Sequence, residues 1–161
     1  MPLVYWSLGS NLGDRDGHLA AARMAFDARF EGTRFSSVYE TEPVDVTDQP
    51  WFLNQVAEVV SEERPEILLE WAQSLEAARH RQREIPKGPR TLDLDLLLYG
   101  SLIQKDKDPL IPHPRLAKRR HVLVPLAELA PDLMIPGLDL TASQALSRVE
   151  DHTQVRFHAE P

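Results

Sequence analysis

The stretch "TLDLDLLLY", residues 91–99, is one of the most apolar runs in the chain, yet it carries two carboxylates, Asp93 and Asp95. Its length and leucine content suit a strand. In extended backbone, side chains two residues apart share a face and sit about 6.5–7 Å apart along the chain. Leu94, Leu96 and Leu98 are therefore expected in the core, with Asp93 and Asp95 pointing together the other way. Upstream, Pro65 opens a helix at its first turn, and Ile67, Leu68, Trp71, Leu75 and Ala78 recur at helical spacing as its buried stripe. Before it, "FLNQVAEVV" (52–60) reads as a strand from its β-branched content, and "TRFSSVYET" (33–41) as another, joined by the polar loop "EPVDVTDQP" (42–50). "SNLGDRDG" (10–17) has turn chemistry, with Asp14 or Asp16 placed to cap a helix bearing Leu19, Ala22, Phe26 and Phe30. "LVYWSLG" (3–9) is a first short strand. The order is β-α-β-β-α-β, the pattern of ferredoxin-like α+β folds with a mostly antiparallel sheet. After residue 99 follow a proline-rich stretch, a short apolar helix around "VLVPLAELA" (122–130) and a last helix near "TASQALSRV" (141–149). The tail from Asp151 reads as loosely held. No repeat or linker interrupts the pattern, so residues 1–161 are read as a single domain.

Composition narrows the function. The balance of 42% hydrophobic and 27% charged residues is that of a globular protein. With no cysteine, disulfides, zinc–thiolate sites and cysteine nucleophiles are excluded, and a reducing cytoplasm is the expected location. The start lacks a basic leader, and no apolar run approaches the roughly 20 residues that cross a bilayer. A net charge of -7 argues against general affinity for nucleic acid. The basic residues are nevertheless clustered: Arg79, Arg81, Arg83, Lys87 and Arg90, then Arg115, Lys118, Arg119 and Arg120. Local basic clusters on an acidic protein suit a small anionic ligand better than a polymer.

Two carboxylates this close repel, and burial makes the repulsion worse. Divalent cations relieve it. Mg²⁺ prefers carboxylate oxygens and keeps waters and substrate phosphates as its other ligands, and two ions about 3.5–4 Å apart suit such a pair. The competing reading is that both aspartates decorate the solvent face of an edge strand. Nearby guanidiniums favour the first: carboxylates, Mg²⁺ and several arginines are what phosphoryl transfer requires. Arginine also grips phosphate bidentately. Gly9 to Gly13 matches no established phosphate-loop spacing and reads as a strand–turn–helix connection.

In order along the chain, "SLGSNLGDR", "YETEPV", "DQPWFLNQV", "GPRTLDLDLLLYG" and "IPHPRL" followed by "VLVPLAELAP" resemble the successive blocks of the 6-hydroxymethyl-7,8-dihydropterin pyrophosphokinase family. The resemblance covers roughly Leu3 to Leu133. It implies a ferredoxin-like fold and transfer of pyrophosphate from MgATP to a pterin alcohol in folate biosynthesis, with AMP as second product. By that likeness, Asp93 and Asp95 hold two Mg²⁺ ions. Arg81, Arg83 and Arg90 hold the β- and γ-phosphates and stabilise the transition state. Gln73, Glu76, His113 and Arg119 match further ATP-contacting positions. Thr41, Val44, Phe52, Asn54 and His121 fall where the family holds the pterin. An amide at Asn54 suits the donor–acceptor edge of a pterin, and Phe52 suits its flat ring. Taken without the resemblance, Gln73 and Glu76 are a solvated helix face, His113 a loop residue bonding backbone, and Phe52 core. The implied partners are small molecules, ATP and the pterin alcohol, with no nucleic acid or membrane and a monomeric chain.

The likeness departs at His80, where a glycine is common, at Lys87, where tryptophan is frequent, and at His121, where phenylalanine usually stands. An imidazole is flat but adds a polar edge and a possible charge near neutral pH. Two rival readings therefore stay open: a paralogue acting on a modified pterin alcohol, and a non-catalytic module that binds pterin or nucleotide.

Overall fold

The computed structural model describes residues 1–43, 48–79 and 91–161. The elements in order are β1 (Leu3–Ser10), α1 (Arg15–Arg29), β2 (Arg34–Phe35), β3 (Val38–Thr41), β4 (Phe52–Val60), α2 (Pro65–Ala78), β5 (Asp93–Tyr99), a 3-10 turn (Leu116–Lys118), α3 (Arg120–Leu129), β6 (Met134–Ile135), β7 (Leu140–Thr141), α4 (Ala142–Arg148) and β8 (Val155–Ala159). The main sheet is antiparallel, ordered β5-β1-β4-β3-β8, with β2 also paired to β4. This is the ferredoxin-like arrangement with additions at its C-terminal end.

Alternation along the central strands produces two cores. Val4, Trp6 and Leu8 of β1, Leu53, Ala57 and Val59 of β4, and Leu94 and Leu96 of β5 meet α1 and α2 on one face. There Phe26 of α1 packs edge-on against Trp6 and Trp71 at 5.7 and 4.9 Å between ring centroids. Each such contact contributes about 0.5–1.5 kcal/mol beyond area burial. On the opposite face Tyr5, Val56, Leu97 and Leu98 pack under α3 and α4. Among the described residues, α3 and α4 cover only part of that face. Asp14, rather than Asp16, caps α1 by accepting the Gly17 N–H at 3.1 Å. No helix among the described residues is long and apolar enough to cross a membrane.

The molecule departs from the sequence reading in four places. Leu98 does not share a face with Leu94 and Leu96. Pairing shifts between Tyr5 and Trp6, so Leu97 is an extra residue on β5 and Leu98 joins the second core. "TRFSSVYET" is two strands: Ser36–Val38 stand opposite only Gln55 and Val56 of β4, a bulge held by the Val56 N–H donating to Ser36 Oγ. The centre of the α2 stripe is Leu68, Ala72 and Glu76, flanked by Trp71 and Leu75, whereas Ile67 and Ala78 face outward. Lastly, the tail is tied down. Asp151 accepts the N–H groups of Arg120, at the start of α3, and of Thr153, at 3.0 and 2.9 Å, and β8 then completes the sheet beside β3.

Candidate active site

The part of the second face beside α3 and α4, where β5, β1, β4 and β3 run side by side, is where the sequence-derived candidates meet. Strand register places Asp93 opposite Gly9, Gly9 opposite Asn54, and Asn54 opposite Tyr39. One row therefore crosses β5, β1, β4 and β3. Asp95 stands in the next row, opposite Ser7. At about 4.8 Å between strands, Asp93 and Asn54 lie about 10 Å apart, with a glycine between them. That glycine makes a floor. A Cβ on Gly9 would come within 3.0 Å of Asn54 Oδ1 and 3.8 Å of Phe52 Cδ1.

Asn54 is 5% exposed, and its Nδ2 donates to Thr41 Oγ1 at 2.6 Å. This bond sets the amide plane and turns Oδ1 toward Gly9. Thr41 itself is buried and pairs with Phe52 across β3 and β4. Phe52 is half-buried beside this floor. The chain leading into Phe52 is held by residues the sequence reading did not single out. Asn11 Nδ2 donates to Gln49 Oε1 and the Pro50 carbonyl at 2.8 and 2.9 Å. Arg15 Nη1 donates to the Trp51 carbonyl and to Glu40 Oε2, both at 2.9 Å. Arg156 on β8 reaches Glu40 Oε1 at 2.6 Å and lies 4.5 Å over the Trp51 ring. Arg156 foremost, and Arg15, hold the Glu40 carboxyl below the usual carboxylate range. None of these carries a local sequence signal, because each works through partners distant in the chain.

At the other end of the row, Asp93 shares its field with two histidines and Arg119. The His113 N–H donates to the Leu97 carbonyl at 2.9 Å, which docks the proline-rich stretch against β5. His113 Nδ1 accepts the Arg115 N–H at 3.1 Å, so the neutral ring carries its proton on Nε2. Burial above all, with Arg119 and Arg115 adding to it, lowers the His113 pKa to about 4 against a pull upward from Asp93. His121, in the first turn of α3, falls to about 4 through burial and then Arg119, opposed by Asp151 and Asp93. The charge that the sequence allowed for His121 near neutral pH is therefore absent; the ring is neutral there.

Glu76 is 4% exposed, and its Oε2 accepts the Leu94 N–H at 2.8 Å, at the peptide between the two aspartates. Gln73, one turn earlier, is exposed on α2. The expectation of a solvated face thus holds for Gln73 and not for Glu76. Val44, Arg81, Arg83 and Arg90, with His80 and Lys87, lie outside the described residues.

The donor set at Asp93 and Asp95 fits Mg²⁺. Two carboxylates on one strand face supply hard oxygen ligands, and no cluster of three or more acidic or histidine side chains able to hold a metal forms among the described residues. Such a site leaves coordination positions for water and phosphate, which is magnesium's preference. Separately, His113 lines a mostly apolar open cavity of about 260 Å³ with Ile103, Leu116, Leu138, Lys105 and Lys118.

Comparison with known proteins gives the family. The family model for 7,8-dihydro-6-hydroxymethylpterin-pyrophosphokinase (HPPK) matches residues 5–131. A Bacillus subtilis protein named 2-amino-4-hydroxy-6-hydroxymethyldihydropteridine pyrophosphokinase is 43% identical over 129 residues, covering 79% of this chain and 77% of its own length. A Methylorubrum extorquens protein of the same name is 41% identical over 152 residues, covering 93% and 95%. Among solved structures, an HPPK-DHPS in complex with substrates superposes with a TM-score of 0.69 at 12% identity, over 91% of this chain and 43% of that one. A Plasmodium falciparum HPPK-DHPS gives 0.68 at 13% identity over the same shares. This chain therefore spans less than half of those solved chains, and at such identity the likeness is one of fold. With the model match covering most of its length and relatives above 40% identity, the chain belongs to the HPPK family.

Proposed function

We propose that this chain transfers pyrophosphate from MgATP to 6-hydroxymethyl-7,8-dihydropterin, giving AMP and the pterin pyrophosphate for folate biosynthesis. The observation that carries the reading is the row Asp93–Gly9–Asn54: a pair of oxygen ligands at one end, a fixed amide at the other, and a side-chain-free floor between. An amide held by Thr41 suits the polar edge of a pterin, and Phe52 its ring face. His121, neutral and beside Asp93, belongs at the same end of the pterin as the reacting hydroxymethyl group.

In the reaction, the hydroxymethyl oxygen attacks the β-phosphorus in line. A new O–Pβ bond forms, the bond from Pβ to the α,β-bridging oxygen breaks, and AMP leaves with that oxygen. The hydroxyl proton passes to solvent water in the same step. Neither described histidine is suited to take it: at a pKa of about 4, His113 and His121 hold a proton poorly at pH 7. The work left to the protein is alignment of the two substrates and neutralisation of phosphate charge. Asp93 and Asp95 would hold magnesium, two ions in this reading, whose charge lowers the repulsion between the attacking oxygen and the triphosphate. His113 Nε2–H and Arg119 supply donors beside Asp93, and Arg81, Arg83 and Arg90 are assigned to the β- and γ-phosphates. Gln73 is placed at the nucleotide and Val44 at the pterin on the family likeness. The chain is taken to act as a cytoplasmic monomer.

The test is incubation with ATP, Mg²⁺ and hydroxymethyldihydropterin, followed by chromatography for AMP. Stoichiometric AMP and pterin pyrophosphate are expected. Binding of both substrates without AMP would replace the enzyme by a binding module. Turnover of a related pterin alcohol in preference to this one would replace the substrate.

A further inference from the structure

Among the described residues β5 is the edge strand of the main sheet, so the N–H groups on its outer side have no neighbouring strand there to bond. A buried N–H without an acceptor is costly, and at Leu94 the acceptor is a side chain: Glu76 Oε2, 2.8 Å away on α2. Glu76 as a whole is 4% exposed. A buried carboxylate is unfavourable unless it is hydrogen-bonded. The Leu94 peptide joins directly to Asp93 on one side and is one residue from Asp95 on the other. Fixing its orientation fixes the separation and direction of both carboxylates.

We propose that Glu76 is a positioning residue that clamps the edge strand at the peptide between the two aspartates, and so sets the spacing of the metal-binding pair. The inference rests on the assignment of Asp93 and Asp95 to magnesium. It gives Glu76 a role within the protein in addition to the nucleotide contact implied by the family likeness: one carboxylate oxygen is engaged with the backbone of β5. Reach, rather than charge, is what the role needs. Glutamine keeps an acceptor oxygen at the same distance, whereas aspartate keeps the charge but falls short by one methylene.

The test compares Glu76→Gln, Glu76→Asp and Glu76→Ala. Amide exchange at Leu94, measured by NMR on the substrate-free enzyme, should quicken about ten- to a hundredfold in Glu76→Asp and Glu76→Ala, the worth of a hydrogen bond to a charged group. It should change less in Glu76→Gln, by about fivefold, because the bond is kept without its charge. The Mg²⁺ concentration for half-maximal activity should follow the same order, with the KM for pterin unchanged. Glu76→Asp keeps a carboxylate on an otherwise intact helix and so remains informative if Glu76→Ala unfolds. Unaltered exchange at Leu94 in Glu76→Asp, or a Glu76→Gln variant as impaired as Glu76→Asp, overturns the proposal. Because exchange is read without metal or nucleotide, it judges Glu76 separately from the magnesium assignment, which the Mg²⁺ dependence of Asp95→Asn judges.

Discussion

Replacing Gly9 by alanine isolates the floor of the site from the stability of the fold. Gly9 lies within β1 in ordinary strand backbone, so alanine introduces no conformational strain there. The new methyl group would sit 3.0 Å from Asn54 Oδ1, inside the ordinary contact of about 3.4 Å, and 3.7 Å from the Leu53 carbonyl. Asn54 has to retreat by a few tenths of an ångström, and it is tied to Thr41 at 2.6 Å, so the amide must tilt. A displaced buried amide loses about 1–3 kcal/mol of hydrogen bonding, equivalent to about 5- to 150-fold in affinity. The loss should fall on the KM for the pterin, while the KM for ATP stays within about twofold. Loss of a glycine also restricts the unfolded chain, worth about 0.4–1 kcal/mol in favour of folding, so the melting temperature should not drop by more than a few degrees. Steady-state kinetics with each substrate varied, beside thermal melts, makes the comparison. A pterin KM within twofold of the parent would show that the Gly9–Asn54 row is not where the pterin binds.

Acid should unfold the protein partly through two half-buried histidines. Both have pKa values lowered from 6.5 to about 4, so the stability they contribute is present above pH 6.5 and is lost as pH falls toward 4, at about 3 kcal/mol each by the end of that range. Urea melts of His113→Asn and His121→Asn across that interval should each show a shallower decline, and an unchanged slope would contradict the neutral state. Truncation after Gln154 removes β8, the edge pairing of β3, and the Arg156 contacts to Glu40 and Trp51. A loss of about 2–3 kcal/mol should lower the melting temperature by about 5–10 °C and raise the pterin KM, and a truncated chain indistinguishable from the full one would refute a structural role for the tail.

The periodic elements were legible because their burial is periodic. Leu19, Ala22 and Phe26 at helical spacing, and the β-branched content of β4, put the ferredoxin-like order within reach of the sequence. Asp93 and Asp95 stood out for the opposite reason, as charges in a run that burial should have kept apolar. What escaped was set by partners far away in the chain. β8 is not marked by an apolar alternation: Arg156, Phe157 and His158 are exposed, and the strand is held by backbone pairing to β3 and an ion pair to Glu40. Glu76 looked like helix surface because nothing local shows that an edge strand needs an acceptor there. The shift at Leu97 is invisible in a run of consecutive leucines, since either face would accept any of them. Asn11, Arg15 and Arg156 act together on the approach to Phe52, and only folding brings them there.

The central claim is that Asp93 and Asp95 exist to hold magnesium against the triphosphate of ATP. A crystal structure with Mn²⁺ replacing Mg²⁺, a non-hydrolysable ATP analogue and hydroxymethyldihydropterin tests it most directly, since the anomalous signal locates the ions. The expected result is metal coordinated by oxygens of both aspartates and of the phosphates, with the pterin ring over Gly9 and beside Asn54. Metal and triphosphate bound elsewhere, with both carboxylates uncoordinated, would contradict it.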